Sequence, residues 1–236
     1  MNKKAALAVI LVILIPLASY YLVRHFSERD LEMPKRFFYD SVRTGLVKGE
    51  KNDTVWHQVR SPMMINQFGD SVTFQDVDGK VLVVDFFFTR CPVTCPKLTK
   101  SMKRLQDSFV KNDSIVQFVS ISVDPLHDTV SKLRKWDERF EINGDNWWLL
   151  TGNRDSIYKF AIEELKANVA DVGVDTAFVH TEKFFLLDKN RVVRGFYNGL
   201  DSAELKKLLT AVPLLMLEKD HKKTFGQFLK ELFERS

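Results

Sequence analysis

Hydrophobic and polar positions alternate along this chain in patterns that change several times. Ala5 to Val23 reads AALAVILVILIPLASYYLV, nineteen residues without a charge. At the rise of an α-helix such a run spans ~28 Å, close to the ~30 Å hydrocarbon core of a bilayer. Residues 24 to 60 are charge-rich with no sustained period, as in a stalk or a surface-hugging extension. Ser61 to Asp76 reads as a hairpin, with its turn at FGD (68–70), and DGK (78–80) is a second turn. VLVVDFFF (81–88) is a continuous β-branched and aromatic run, suited to a central strand buried on both faces. Leu98, Met102, Leu105 and Phe109 then recur at spacings of four, three and four, one face of a helix.

The alternation continues with a strand (114–123), a helix (129–140), a short strand (147–151) and a helix (154–165). Residues 176 to 188 hold one strand ending in a loop and another starting after it. RVVRGFYN (191–198) pairs back across the turn DKN. Helices follow over 202–217, with Pro213 a break or kink, and over 223–235. The order is a hairpin, then β-α-β-α-β-α-β-β-α. Right-handed strand–helix–strand crossovers give parallel pairs, and the terminal β-β-α adds an antiparallel edge. This is an α/β chain with the element order of a thioredoxin-like fold, carrying an N-terminal hairpin extension and preceded by a single transmembrane helix. The expected divisions are an anchor (1–24), a stalk or extension (25–60), the folded domain (61–217) and a C-terminal helix (218–236).

Composition narrows the function. Thirty-five basic against 31 acidic residues leave a net charge of +4, which builds no nucleic-acid surface. Two cysteines do not make a disulfide scaffold. The N-terminal run lacks a small-x-small cleavage site, so it reads as an uncleaved anchor. Basic residues on both sides of it leave its orientation to be argued from the chemistry of the domain.

Both cysteines, Cys91 and Cys95, lie in FFFTRCPVTCPKLT (86–99), where the central strand gives way to a helix. A structural disulfide, a redox couple and a soft-metal clamp would each use such a pair. A helix N-terminus favours thiolate over thiol, and Arg90 and Lys97 add positive charge nearby. Pro92 and Pro96 suit a helix start, which places the first turn near Thr94–Pro96. Side chains four apart on a helix face the same way, so a small adjustment brings the sulfurs together or onto one ion.

Three segments resemble the Sco/SenC family: VDFFFTRCPVTCPKLT, SISVDPLHDT (120–129) and VHTEKFFLLDKNRVVRGFYNG (179–199), with WWLLTG (147–152) also fitting. The resemblance runs from about Met63 to Leu215, and its nearest variant is the Bacteroidetes type. It implies a copper site whose ligands are Cys91, Cys95 and, on a loop, His180, with one Cu(I) or Cu(II) per chain. Two thiolates and an imidazole suit that soft ion, whereas zinc would want a fourth ligand. Asp124 matches the family's D-P turn as a supporting residue. Asp128 is expected to cap the following helix, and His127 to be exposed.

Asp85 points elsewhere. It matches the strand of true thioredoxins, where a buried acid helps move a proton during thiol exchange. The gap here is C-x3-C rather than C-x2-C, and no proline precedes the strand at His180–Thr181. The expected function is a single-pass protein of the inner (cytoplasmic) membrane, its domain facing the periplasm or exterior. It would deliver copper to, or maintain, the dinuclear copper centre of a respiratory oxidase subunit. The alternatives are a thiol-disulfide oxidoreductase using the Cys91–Cys95 redox pair with a thioredoxin-like reductant, and a peroxidase-like or redox-signalling protein.

Overall fold

The computed structural model describes residues 12–21, 33–43, 53–112, 114–167 and 181–218. The chain divides into two compact units, Met1–Met33 and Pro34–Ser236. In the first, residues 12–21 are helical, and their apolar side chains, among them Ile13, Leu14 and Leu17, are exposed. The rest of the apolar run over 5–23 lies outside the described residues. Among the described residues no helix is long and apolar enough to cross a membrane.

The second unit is built on five strands: β5 (Val81–Phe87), β6 (Val116–Ser122), β7 (Trp147–Leu150), β8 (Lys183–Leu187) and β9 (Val193–Asn198). Their order is β7-β6-β5-β8-β9, with β5, β6 and β7 parallel and β8 and β9 antiparallel. Every residue of β5 and β6 is buried, as suits central strands with helices over both faces, and this includes the polar Asp85, Gln117, Ser120 and Ser122. Alternation along β5 sends Leu82, Val84 and Phe86 to one core, and Val81, Val83 and Phe87 to the other. Asp85 shares the parity of the second set.

That second core holds helix α1 (Thr94–Ser108), α2 (Val130–Phe140) and α4 (Ser202–Leu217), through residues such as Leu98, Met102, Leu133, Leu208 and Val212. Leu98 and Met102 are fully buried, each contributing about 1.5–3 kcal/mol by removal from water. The first core holds Phe74, Ile157 and Phe160, the last two from α3 (Arg154–Lys159) and the π-helical turn Phe160–Glu164 that continues it. The element order follows the sequence pattern. Two details differ. Helix α4 runs on through Pro213 rather than breaking there. Residues 223–235 lie outside the described residues.

The expected hairpin forms as β3 (Met64–Ile65) and β4 (Ser71–Val72), with Gly69 at φ +96° in its turn. Paired backbone hydrogen bonds between Ile65 and Thr151 tie it to the end of β7. Residues 34–43 and 53–60 pack on the domain. They form an antiparallel pair, β1 (Tyr39–Arg43) and β2 (Asp53–Trp56), which sequence periodicity did not reveal. Phe37 N–H donates to the Val193 carbonyl, and Phe37 and Phe38 pack edge-on against Phe196. Arg194, almost fully buried on β9, donates to the Pro34 carbonyl, to Asp188 and to Glu218, so it pins the start of the extension beside the end of α4.

Candidate metal and redox site

The site grows from the end of β5. The chain leaves the sheet at Phe87, turns through Thr89 and Arg90, and enters α1 at Thr94. Two carboxylates on the neighbouring loop after β6 hold this turn. Asp128 is fully buried and accepts from Thr89 N–H (3.0 Å), the Thr89 hydroxyl and the Ser122 hydroxyl (2.6 Å). It is therefore a loop brace. The N-cap position of α2 belongs to Thr129, which corrects the capping role expected of Asp128. Asp124, also buried, accepts from Arg90 Nε (2.9 Å) and Nη2 (2.6 Å) on one oxygen, and its other oxygen lies 3.0 Å from His127 Nδ1. Arg90 is thus committed to Asp124 rather than aimed at the cysteines. His127 is half-exposed.

The two cysteines occupy unlike positions. Cys91 precedes the N-cap residue Val93 and lies outside the helix, while Cys95 is inside its first turn. The i, i+4 geometry expected of the pair is replaced by a sulfur set against the open end of the helix: Cys95 N–H donates to Cys91 Sγ at 3.2 Å. Burial alone would raise the Cys91 thiol, but hydrogen bonding from Cys95 and from the backbone of Val93 and Thr94 outweighs it and leaves the pKa lowered. Cys95 behaves oppositely. It is completely buried, and burial pushes its thiol well up, with the Cys91 sulfur and Asp85 adding to the rise. Thiolate stabilisation at the helix start therefore reaches only one of the two. Both thiols are free. Pro96 is tolerated because the N–H it lacks would have no helical partner in the first turn.

Beneath Cys95 lies Asp85, 1% exposed, with Oδ1 lacking any hydrogen-bond partner. Burial raises its carboxyl to about 7, against a lowering hydrogen bond from Ser120. Ser120 in turn accepts from Trp147 Nε1 at 3.0 Å. The other flank is equally tight. Thr99 donates to the Cys95 carbonyl (2.9 Å) and accepts from Trp136 Nε1 (3.2 Å). A Cβ on Gly199 would lie 2.6 Å from Leu98 Cδ2 and 2.7 Å from the Phe184 ring, so no larger residue fits where β9 turns towards α4.

The structure thus brings together Cys91, Cys95 and Asp85, with Asp124 one loop away. His180 lies outside the described residues. Its neighbour Thr181 is buried, and its hydroxyl accepts from Lys183 N–H at the start of β8. Among the described residues no three histidine, cysteine, aspartate or glutamate side chains form a metal-binding group. Sequence reasoning missed Thr89, Ser122, Ser120 and Trp147 as supports. The first two carried no signal beyond being short polar residues beside a motif.

The family model for SCO1/SenC matches residues 58–211, which include both cysteines, Asp85, Asp124 and His180. The chain belongs to the SCO1/SenC family. The SCO1 protein homolog of Bacillus subtilis is 30% identical over 161 residues, covering 68% of this chain and 83% of that protein. The solved structure of BsSco, a member of the Sco family of cytochrome c oxidase assembly proteins in which a disulfide switch was identified, is 28% identical. It superposes with a TM-score of 0.60, covering 71% of this chain and 98% of that one. Bradyrhizobium japonicum ScoI, solved with copper bound, shares the fold at 22% identity and a TM-score of 0.51, covering 66% and 97%. The matched region is therefore a thioredoxin-like Sco domain. The extension before residue 58 and the segment after 211 are additions to the matched region.

Proposed function

We propose that this chain is a membrane-anchored Sco protein that binds one copper ion through Cys91, Cys95 and His180. It passes that ion to the dinuclear copper centre of a respiratory oxidase, or maintains the centre. The reading rests on one observation above all: a lowered thiol (Cys91) and a buried, raised thiol (Cys95) share the start of one helix. The lowered pKa of Cys91 makes its thiolate easier to form. Cys95 would give up its proton on coordination, since a thiol bound to a soft metal is deprotonated. Two sulfurs leave room for an imidazole, which His180 supplies by motif position. Delivery would proceed by exchange, with the target's cysteines displacing these. We assign residues 1–24 to an uncleaved anchor and place the domain on the outer face of the cytoplasmic membrane, where the dinuclear centre is metallated. Residues 25–60 form the extension, 61–217 the Sco domain and 218–236 a C-terminal helix.

Asp85 favours a second reading, a thiol-disulfide oxidoreductase. Cys91 thiolate would attack a target disulfide to form a mixed disulfide. Cys95 would lose its proton to Asp85 and attack Cys91 Sγ, releasing the target as its dithiol once protonated. The chain would then hold a Cys91–Cys95 disulfide, which a thioredoxin-like dithiol would reduce. A side-by-side test of oxidase metallation in cells separates the two. His180→Ala should abolish it while Asp85→Asn leaves it nearly intact. A silent His180→Ala with a crippled Asp85→Asn would make the oxidoreductase the better account.

A further inference from the structure

At the end of the sheet opposite the cysteines lies a cavity of about 390 Å³. It opens where β5 begins, and its walls come from the extension (Gln58, Arg60), the turn before β5 (Gln75, Asp78) and the β8–β9 turn (Lys189, Arg191). Three cations and three side-chain amides, those of Gln58, Gln75 and Asn190, line it, against one carboxylate. Arg191 is the unusual member. Its backbone sits at φ +65°, a left-handed conformation that L side chains rarely adopt, and its side chain is more than nine-tenths buried. Its guanidinium donates to the carbonyls of Phe74, Val77 and Lys80, and lies 3.3 Å from Asp78, whose own side chain is mostly exposed. Its Nε has no partner.

Carbonyl oxygens satisfy hydrogen bonds but do not neutralise a charge. The Arg191 guanidinium is hydrogen-bonded mostly to neutral acceptors, and the carboxylates of Asp78 and Asp188 supply the opposing charge, so what it offers the cavity is its unpartnered Nε. Arg60 lines the same cavity, and its guanidinium has no ion-pair partner among the described residues. Lys189 Nζ donates to a neutral acceptor, the Met216 carbonyl at 2.9 Å, and forms no ion pair among the described residues. The Arg60 guanidinium, the Lys189 ammonium, the free Arg191 Nε–H and three side-chain amides line one concave space, a donor set of the kind that receives tetrahedral oxyanions.

We propose that this cavity binds a phosphate-class oxyanion, either free phosphate or the phosphate of a lipid headgroup, with Arg60, Lys189 and Arg191 supplying the charge. The site is remote from the cysteines and independent of the copper reading. Asp78 repels the anion and turns outward as it enters. An occupant would bridge the extension, the turn before β5 and the β8–β9 turn, so binding should clamp residues 58–60 to the domain.

Thermal unfolding of the full chain in neutral detergent, with inorganic phosphate against sodium chloride at matched ionic strength, tests this. Phosphate should raise the unfolding midpoint saturably where chloride does not. Arg60→Gln and Lys189→Gln, whose folds do not depend on buried charge, should each raise the half-saturating phosphate about tenfold or more. Cys91→Ser should leave it unchanged. Reconstitution into phosphatidic acid vesicles identifies the source. If the headgroup is the occupant, the midpoint is already raised there and added phosphate does nothing further. If free phosphate is, the vesicles leave the response intact. Equal effects of phosphate and chloride, or unaltered half-saturation in both variants, would overturn the proposal.

Discussion

Replacing Asp85 with asparagine should change how the fold responds to pH. The carboxyl sits in the core below Cys95 with one oxygen unpartnered, and burial lifts it from an ordinary 3.8 to about 7. A raised carboxylate destabilises the folded state once pH passes the unfolded value. Below about pH 4 both states hold the proton and nothing is lost. Between about 4 and 7 the folded chain keeps a proton that the unfolded chain has released, so stability falls as pH rises, levelling above 7. At ~1.36 kcal/mol per pH unit, the gap between 3.8 and about 7 amounts to roughly 4 kcal/mol. Asparagine does not titrate, but its buried amide leaves a donor unsatisfied at a cost of about 1–3 kcal/mol. Asp85→Asn should therefore be less stable than the wild type near pH 4.5 and more stable by about 1–3 kcal/mol near pH 8.5. Urea unfolding of residues 34–236, reduced and metal-free, measures this, and the difference between the two proteins cancels every other titrating group. Parallel stability profiles across that range would refute the reasoning.

Further outcomes follow from the same geometry. With Cys95→Ser, the remaining Cys91 should react with iodoacetamide at pH 7 about ten times faster or more than the remaining Cys95 does in Cys91→Ser, because only Cys91 faces the helix N–H groups. Equal rates would contradict the asymmetry. Arg194→Ala should cost about 2–4 kcal/mol in urea unfolding, since Asp188 then stays buried without its ion-pair partner, held only by the Asn190 and Val192 N–H groups and the field of Arg191. Loss below 1 kcal/mol would show that Arg194 does not clasp Pro34 and Glu218 to the domain.

Much of the domain was legible in the sequence because its periods are strong. The β-branched and aromatic run of β5, interrupted by Asp85 alone, and the four-three-four spacing from Leu98 to Phe109 each favour one structure. Strands β1 and β2 were not legible. They are five and four residues long and pair only with each other, while the chain is tied to β9 by Phe37 and Phe38, which lie outside both strands. At the site, the cysteine motif and the buried Asp85 could be read directly. The unequal thiols could not, because they depend on where the helix begins: three residues after Cys91 and one before Cys95. Asp128 looked like a cap because it precedes a helix. The fold instead turns it inward to brace Thr89, a tertiary contact across 39 positions that local sequence does not encode.

Copper stoichiometry of the reduced chain tests the central claim most directly. Copper(I) titrated against a chromophoric competitor should bind as one tight ion per chain. Cys91→Ser and Cys95→Ser should each abolish tight binding, since a hydroxyl is a poor ligand for that ion, and His180→Ala should weaken it. Undiminished stoichiometry in both cysteine variants would contradict the account.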